Sequence, residues 1–157
     1  IDASAVLTGV IVSLFALVSL ASAAQAGRLA DSGDMLLVTL VGVLVAGLGM
    51  ALVGLLPVVP AIVAGVVVAG VGTGVTGPIQ KSLVTQLAPA SLRAGALSTA
   101  VIFQSIGSTG GPLLMGIALG WLPVTTTFAV FGLAGAVAGT VVLGVAYLKA
   151  SPGAVGG

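Results

Sequence analysis

Charge is what this chain lacks most. Only four basic and three acidic residues occur among its 157, while 59% of the residues are apolar. A water-soluble domain needs a charged surface of about a quarter of its residues, so the composition excludes a soluble globular fold. It predicts an all-α, polytopic integral membrane protein with the lipid bilayer around it.

Cysteine and histidine are absent altogether. Thiol chemistry, zinc or haem ligation by the usual side chains, and histidine-based acid or base catalysis are therefore excluded within this chain. An intramembrane hydrolase would also need a serine with a histidine or lysine base, or two aspartates at depth, and the sequence has neither arrangement. We expect no enzyme activity and hence no catalytic residue, no metal, no cofactor and no nucleic-acid partner.

Long uncharged stretches predict the transmembrane spans. No charge occurs between Met35 and Gln80 or between Ala94 and Leu148, and each stretch is about twice the ~20 residues that one helix needs to cross. Prolines, together with Trp121 at the second break, divide each stretch into two spans. The predicted spans lie near residues 5–24, 35–55, 61–80, 95–119 and 124–148. They form one membrane domain over residues 1–150, and we expect the small-residue tail 151–157 to be flexible.

The four basic residues predict the orientation. Five alternating spans place Arg28, Lys81, Arg93 and Lys149 on one face, which the positive-inside rule makes cytoplasmic. The N-terminus is then outside, the C-terminus is cytoplasmic, and we expect the cell membrane as the location. Because the chain begins at Ile1 and has no basic segment before its first span, we read no signal peptide and expect a piece of a longer protein.

Two spans carry a one-sided polar face. On the fourth span, Ser98, Gln104, Ser105, Ser108 and Thr109 cover about 140° at 100° per residue. The first span has a narrower face around Thr8, Ser19 and Ser22, joined by Phe15. In hydrocarbon such faces must contact protein or water, so they are either interhelical hydrogen-bonding surfaces or the lining of a solute path. The substrate-path candidates are Gln104, Ser105, Ser108, Thr8, Phe15 and Ser19.

Gln104 is the strongest of these candidates, since its amide can both donate and accept hydrogen bonds to a solute. The second and fifth spans have few polar residues, which favours lipid contact. In the third span, Pro78 deprives the Gly74 carbonyl of its helical partner, so we predict a bend at these two residues. Small residues around Gly132 and Ala136 in the fifth span are typical of close helix packing.

Three segments resemble one family. Gly27-Arg28-Leu29-Ala30-Asp31 resembles the Gly-x-Leu-Ala-Asp motif of the major facilitator superfamily. The segment from Leu87 to Ser98 is similar to the turn between that family's tenth and eleventh helices, and Gly107-Ser108-Thr109-Gly110-Gly111-Pro112 resembles its Gly-x-x-x-Gly-Pro pattern. The chain is therefore identified as similar to the C-terminal half of such a transporter, with its spans as helices eight to twelve of twelve.

The resemblance implies a half bundle that works in secondary transport of a small-molecule substrate by alternating access. Its partner would be the missing N-terminal half or another membrane subunit. The resemblance also implies a cytoplasmic gate in which Asp31 meets Arg28 or Arg93. Capping is the alternative reading: Asp31, Ser32 or Asp34 could cap the helix that begins at Met35, and Ser91 could cap the helix that carries Arg93.

A non-transporting membrane scaffold or assembly subunit is the alternative function. The two hypotheses differ in whether water reaches the polar faces. In a transporter the polar faces of the first and fourth spans border a wet cavity, whereas in a scaffold they close against each other.

Overall fold

Five helices make up the fold. The computed structural model describes residues 3–32 and 34–150, and the side chains within those ranges except at 3, 29–32, 87 and 146–150. The helices are α1 (Ala3–Ser32), α2 (Met35–Leu55), α3 (Val59–Leu87), α4 (Arg93–Leu119) and α5 (Val124–Ala150), and the described ranges contain no strand. Each is long and apolar enough to cross a membrane. The predicted all-α membrane fold with five spans is confirmed.

Several helices are longer than the predicted crossing segments. α1 continues to Ser32 and α3 to Leu87, beyond the residue 24 and residue 80 limits read from hydropathy. Apolar composition marks only the part of a helix inside hydrocarbon, whereas the backbone hydrogen bonds continue into the interface. The N-cap of α2 is Asp34, and the backbone of α1 runs through residues 31 and 32.

Capping differs between the two turns at the basic end of the bundle, where Arg28, Lys81 and Arg93 lie. Asp34 is the N-cap of α2, and its Oδ1 accepts from the backbone N–H of Leu36 at 2.9 Å and of Leu37 at 3.4 Å. The proposed cap by Ser91 is wrong. The N-cap of α4 is Leu92, which has no side-chain cap bond, because the Leu92 N–H closes a turn onto the Pro89 carbonyl at 2.9 Å and the helix begins one residue later.

α2 is the centre of the packing. It packs closely against α3 on one side and α5 on the other, and α1 packs against α3, which gives a row in the order α1, α3, α2, α5. α4 touches α3 and α5 only sparsely, and within the described ranges its backbone does not approach α1 or α2. The expectation that the second span faces lipid therefore holds for only part of its surface.

Glycines at seven-residue spacing explain the central position of α2. Gly42 and Gly49 meet Gly72 and Gly65 of α3, and a Cβ added at Gly49 would lie 2.6 Å from the Gly65 carbonyl oxygen. Seven residues are nearly two helical turns, so both glycines lie on one face. Gly47 and Gly54 form a second such face against α5. Membrane helices associate largely through such close approach, because lipid is as apolar as their side chains.

The hydroxyls of the buried threonines are satisfied within their own helices. Thr39 and Thr127 are fully buried, and their hydroxyls donate to the carbonyls of Met35 at 2.8 Å and Pro123 at 3.0 Å, one turn earlier. In the described part of the chain, every side-chain hydrogen bond joins residues no more than five apart. Shape, rather than interhelical hydrogen bonding, therefore holds these helices together.

Candidate functional site

The polar face of α4 is exposed along its whole length. No residue of α4 is buried, and Ser98, Gln104, Ser105, Ser108 and Thr109 all have exposed side chains. One hydroxyl in this group makes a described hydrogen bond, from Ser108 Oγ to the Ser105 carbonyl at 3.0 Å. Interhelical hydrogen bonding, the alternative reading of this face, is not seen among the described residues. The remaining polar atoms are available to water, a solute or a partner.

Gln104 lies in a crevice of about 350 Å³ between α4 and the helices α2, α3 and α5. We call it the basic crevice. Its polar side chains are Thr39, Gln80, Lys81 and Gln104, and its wall is otherwise apolar, with Leu83, Val84, Leu97, Val101 and Leu143. The crevice brings one cation and two amides together on a surface that is mostly hydrocarbon. Such a mixture of an apolar wall and a few convergent polar groups is typical of ligand sites.

The α4 polar face is divided between two surfaces. Ser105 lies with Thr109 in a shallow depression on α4, beside Val101, Ile102 and Ile106. Adjacent residues of a helix differ by about 100° in direction, so Ser105 points well away from Gln104. The predicted substrate-path residues of α4 therefore do not form one continuous lining in this structure.

The candidates on α1 lie apart from the basic crevice. Thr8 is exposed and its hydroxyl donates to the Ser4 carbonyl at 2.9 Å. Phe15 lines a separate cavity of about 290 Å³ between α1, α2, α3 and α5, beside Thr73 and Phe131. The Ser19 hydroxyl oxygen is buried and has no hydrogen-bond partner among the described residues. No structural feature joins these three residues to Gln104, so their role in a substrate path stays a prediction.

Gly74 is a point of close contact between α1 and α3. A Cβ at this position would collide with the Ser19 carbonyl oxygen and lie 2.8 Å from the Ser22 Cβ. The helix α3 is continuous through Gly74 and contains Pro78. Close approach to α1 is thus a sufficient reason for glycine at position 74, and the bend at Gly74 and Pro78 stays a prediction.

The proposed gate is only partly within the described side chains. Arg28 is exposed, and Arg93 is exposed with its Nε donating to the Ala88 carbonyl at 3.4 Å, at the end of α3. The side chain of Asp31 lies outside the described set. Pairing of Asp31 with either arginine therefore stays a prediction.

A comparison with models of protein families identifies the family. A sequence model of the Major Facilitator Superfamily matches residues 1–156. The chain belongs to the Major Facilitator Superfamily. No curated protein and no solved structure matches it. The five apolar helices fit a half bundle of this superfamily, so the resemblance read from the three motifs is confirmed.

Membership of the Major Facilitator Superfamily makes the chain a transporter domain in a membrane rather than a member of an enzyme family. The described residues contain no cluster of three potential metal ligands. The polar periodicity of α4 predicts Gln104 but assigns no role to Gln80 or Thr39, and the position of Lys81 predicts only a charge at one end of the bundle. Gly77, Lys81 and Val84 share one face of α3 at helical spacing, but the contact of that face with Gln104 depends on how α3 and α4 pack.

Proposed function

We propose that this chain is the larger part of the second half of a secondary transporter, which moves a small solute by alternating access around a central site. One observation carries the proposal. The polar faces of α1 and α4 do not close against each other, and the α4 face is exposed from Ser98 to Thr109. Exposed polar groups within a span require water or a polar partner, which a transport cavity supplies.

The proposed partner is a second helical bundle, either the N-terminal half of the transporter or another membrane subunit. Alternating access requires two bundles that rock against each other, and five helices supply less than one. Reconstituted alone in liposomes, the chain should therefore move no solute. Saturable uptake by the chain alone would contradict the proposal, unless crosslinking showed that two copies had assembled into a pair of bundles.

The proposed orientation places the basic end of the bundle in the cytoplasm of a cell whose plasma membrane holds the protein. Since the chain has no cysteine, single cysteines report cleanly on topology. Cysteines at Ser4, Pro60 or Leu122 should react with an impermeant thiol reagent from outside, and cysteines at Ser32 or Ala90 should not. Labelling at Ala90 from outside would reverse the orientation.

The function is tested by whether the middle of α4 is wet. Ser108 lies about 22 Å along α4 from Arg93, close to the centre of this 27-residue helix. The matched control is Val137, at the centre of α5, which is 63% exposed on an apolar surface. In the full-length transporter embedded in a membrane, a cysteine at Ser108 should react with a charged thiol reagent while a cysteine at Val137 should not.

A non-transporting scaffold or assembly subunit is the second candidate function. It is favoured by the absence of any buried residue on α4, which would suit a helix that docks another membrane protein. In that case the docked protein would shield α4 from water. Failure of both Ser108 and Val137 cysteines to react would therefore favour the scaffold and count against the transporter.

A further inference from the structure

The length of α3 indicates how deep Lys81, at the basic end of the crevice, lies in a membrane. Lys81 is 22 residues beyond Val59, the first residue of α3, which places it about 33 Å along the helix axis. The hydrocarbon core of a bilayer is about 30 Å thick. If α3 starts near one boundary of that core, the Lys81 ammonium reaches the phosphates of the opposite leaflet.

Polar groups occur at two depths in the crevice. Gly77 lies one turn, about 6 Å, deeper than Lys81 on α3. α4 runs in the opposite direction, so on that helix Leu97 is nearer the basic end and Gln104 is deeper. The Lys81 charge and the Gln80 amide thus lie towards the basic end, and the Gln104 amide lies towards the membrane interior. In a phospholipid the charged phosphate likewise lies towards the water, and the less polar groups lie below it.

The crevice is also accessible from the side. Val101, which lines it, is 51% exposed, and α4 makes few contacts with α3 and α5. In the chain by itself, a lipid can therefore enter beside α4, with its first methylenes against Val101 and Leu143. A soluble anion would gain nothing from this apolar wall.

We propose that the basic crevice binds the headgroup of an anionic phospholipid from the leaflet at the basic end of the bundle. Lys81 and Gln80 hold the phosphate. Basic pockets between transmembrane helices commonly bind anionic lipid headgroups. The one acid at this end whose side chain is described, Asp34, is engaged by the backbone amides of α2. This inference does not depend on transport activity.

Lipid binding to the purified chain in detergent micelles tests the proposal. Native mass spectrometry would compare phosphatidylglycerol with phosphatidylcholine of the same acyl chains over a range of lipid concentrations. We expect one phosphatidylglycerol per chain, bound in preference to phosphatidylcholine. Lys81→Gln should weaken phosphatidylglycerol binding about fivefold, the usual contribution of one lysine near an anionic surface, and Lys81→Arg should retain it.

Two further variants separate the crevice from general surface charge. Arg28→Gln removes the same charge at the same end of the bundle but outside the crevice, and should leave the affinity unchanged. Ala100→Phe keeps every charge but fills the crevice, and should reduce binding; circular dichroism checks that each variant retains its helices. The proposal is overturned if phosphatidylglycerol binds no better than phosphatidylcholine, or if Arg28→Gln weakens binding as much as Lys81→Gln.

The source of the anion is tested by competition. Millimolar glycerol phosphate should displace little phosphatidylglycerol, because it lacks the acyl chains that contact the apolar wall. Displacement as efficient as that by a short-chain phosphatidylglycerol would show that the crevice takes a soluble anion. That result would overturn the lipid assignment.

Discussion

Replacing Gly49 by alanine tests whether direct backbone contact between α2 and α3 holds the bundle together. A Cβ at position 49 would lie 2.6 Å from the Gly65 carbonyl oxygen and 2.8 Å from the Ala69 Cα. Both atoms belong to the backbone of α3, so no side-chain rotation can make room. The two helices must instead move apart.

The displacement can be estimated from the structure. Ordinary van der Waals contact of a Cβ begins at 3.4 Å, so the contact with the Gly65 oxygen requires a separation larger by about 0.8 Å. A gap of 0.5 to 1 Å loses roughly a quarter to a half of the dispersion energy of each affected atom pair. Overpacking of this kind costs about 1–3 kcal/mol, which we expect as the decrease in the free energy of unfolding.

Gly111→Ala is the matched control. No heavy atom of another element lies within 4 Å of a Cβ at Gly111, so the substitution meets open space. Removal of glycine from a helix interior should leave stability unchanged or raise it by up to about 1 kcal/mol. Both variants would be unfolded by SDS titration in mixed micelles and followed by circular dichroism. A Gly49→Ala variant as stable as the parent, or a Gly111→Ala variant that loses as much stability, would refute the packing argument.

Two further substitutions test the polar candidates. In the full-length transporter, Gln104→Ala should impair uptake or alter selectivity while changing the free energy of unfolding by no more than about 1 kcal/mol, the usual limit for one membrane hydrogen bond; normal uptake with easy unfolding would instead make Gln104 an interhelical contact. Ser19→Ala should leave stability unchanged or raise it by about 1 kcal/mol, because it removes a buried hydroxyl without a described partner. Lower stability of Ser19→Ala in the same SDS titration would show that the hydroxyl has a partner in the membrane.

The number of helices could be predicted because its signals are local. Charge-free stretches longer than one span, broken by prolines and by Trp121, determine where the chain turns, and Trp121 is 85% exposed at the end of α4. The arrangement of the helices was harder to foresee. It depends on which glycine-lined helix faces contact each other. The spacings that determine this, Gly42 with Gly49 and Gly47 with Gly54, lie in the second span, for which polarity alone predicts lipid contact.

In the candidate site, too, features within one helix can be predicted from the sequence, whereas contacts between helices cannot. The position of Gln104 on a polar face follows from helical periodicity alone. Its proximity to Lys81 and Gln80 does not, because that depends on the rotation of α4 about its axis and on its register against α3. A polar arc of about 140° is wide enough for its two edges to face different neighbours, as Gln104 and Ser105 do.

The interior glycines of α4 differ in their neighbours from the glycines at the contact between α2 and α3. A Cβ at Gly42, Gly49, Gly65 or Gly72 would press into a facing helix, whereas Gly107, Gly110, Gly111 and Gly116 have no atom of another element within 4 Å. Glycine in a helix interior costs about 0.5–1 kcal/mol relative to alanine, so four of them without a contact are an unfavourable choice for α4 by itself. A helix packed closely against α4 would give these positions the same role as the glycines of α2 and α3. We therefore expect the second bundle of the proposed transporter to pack on the side of α4.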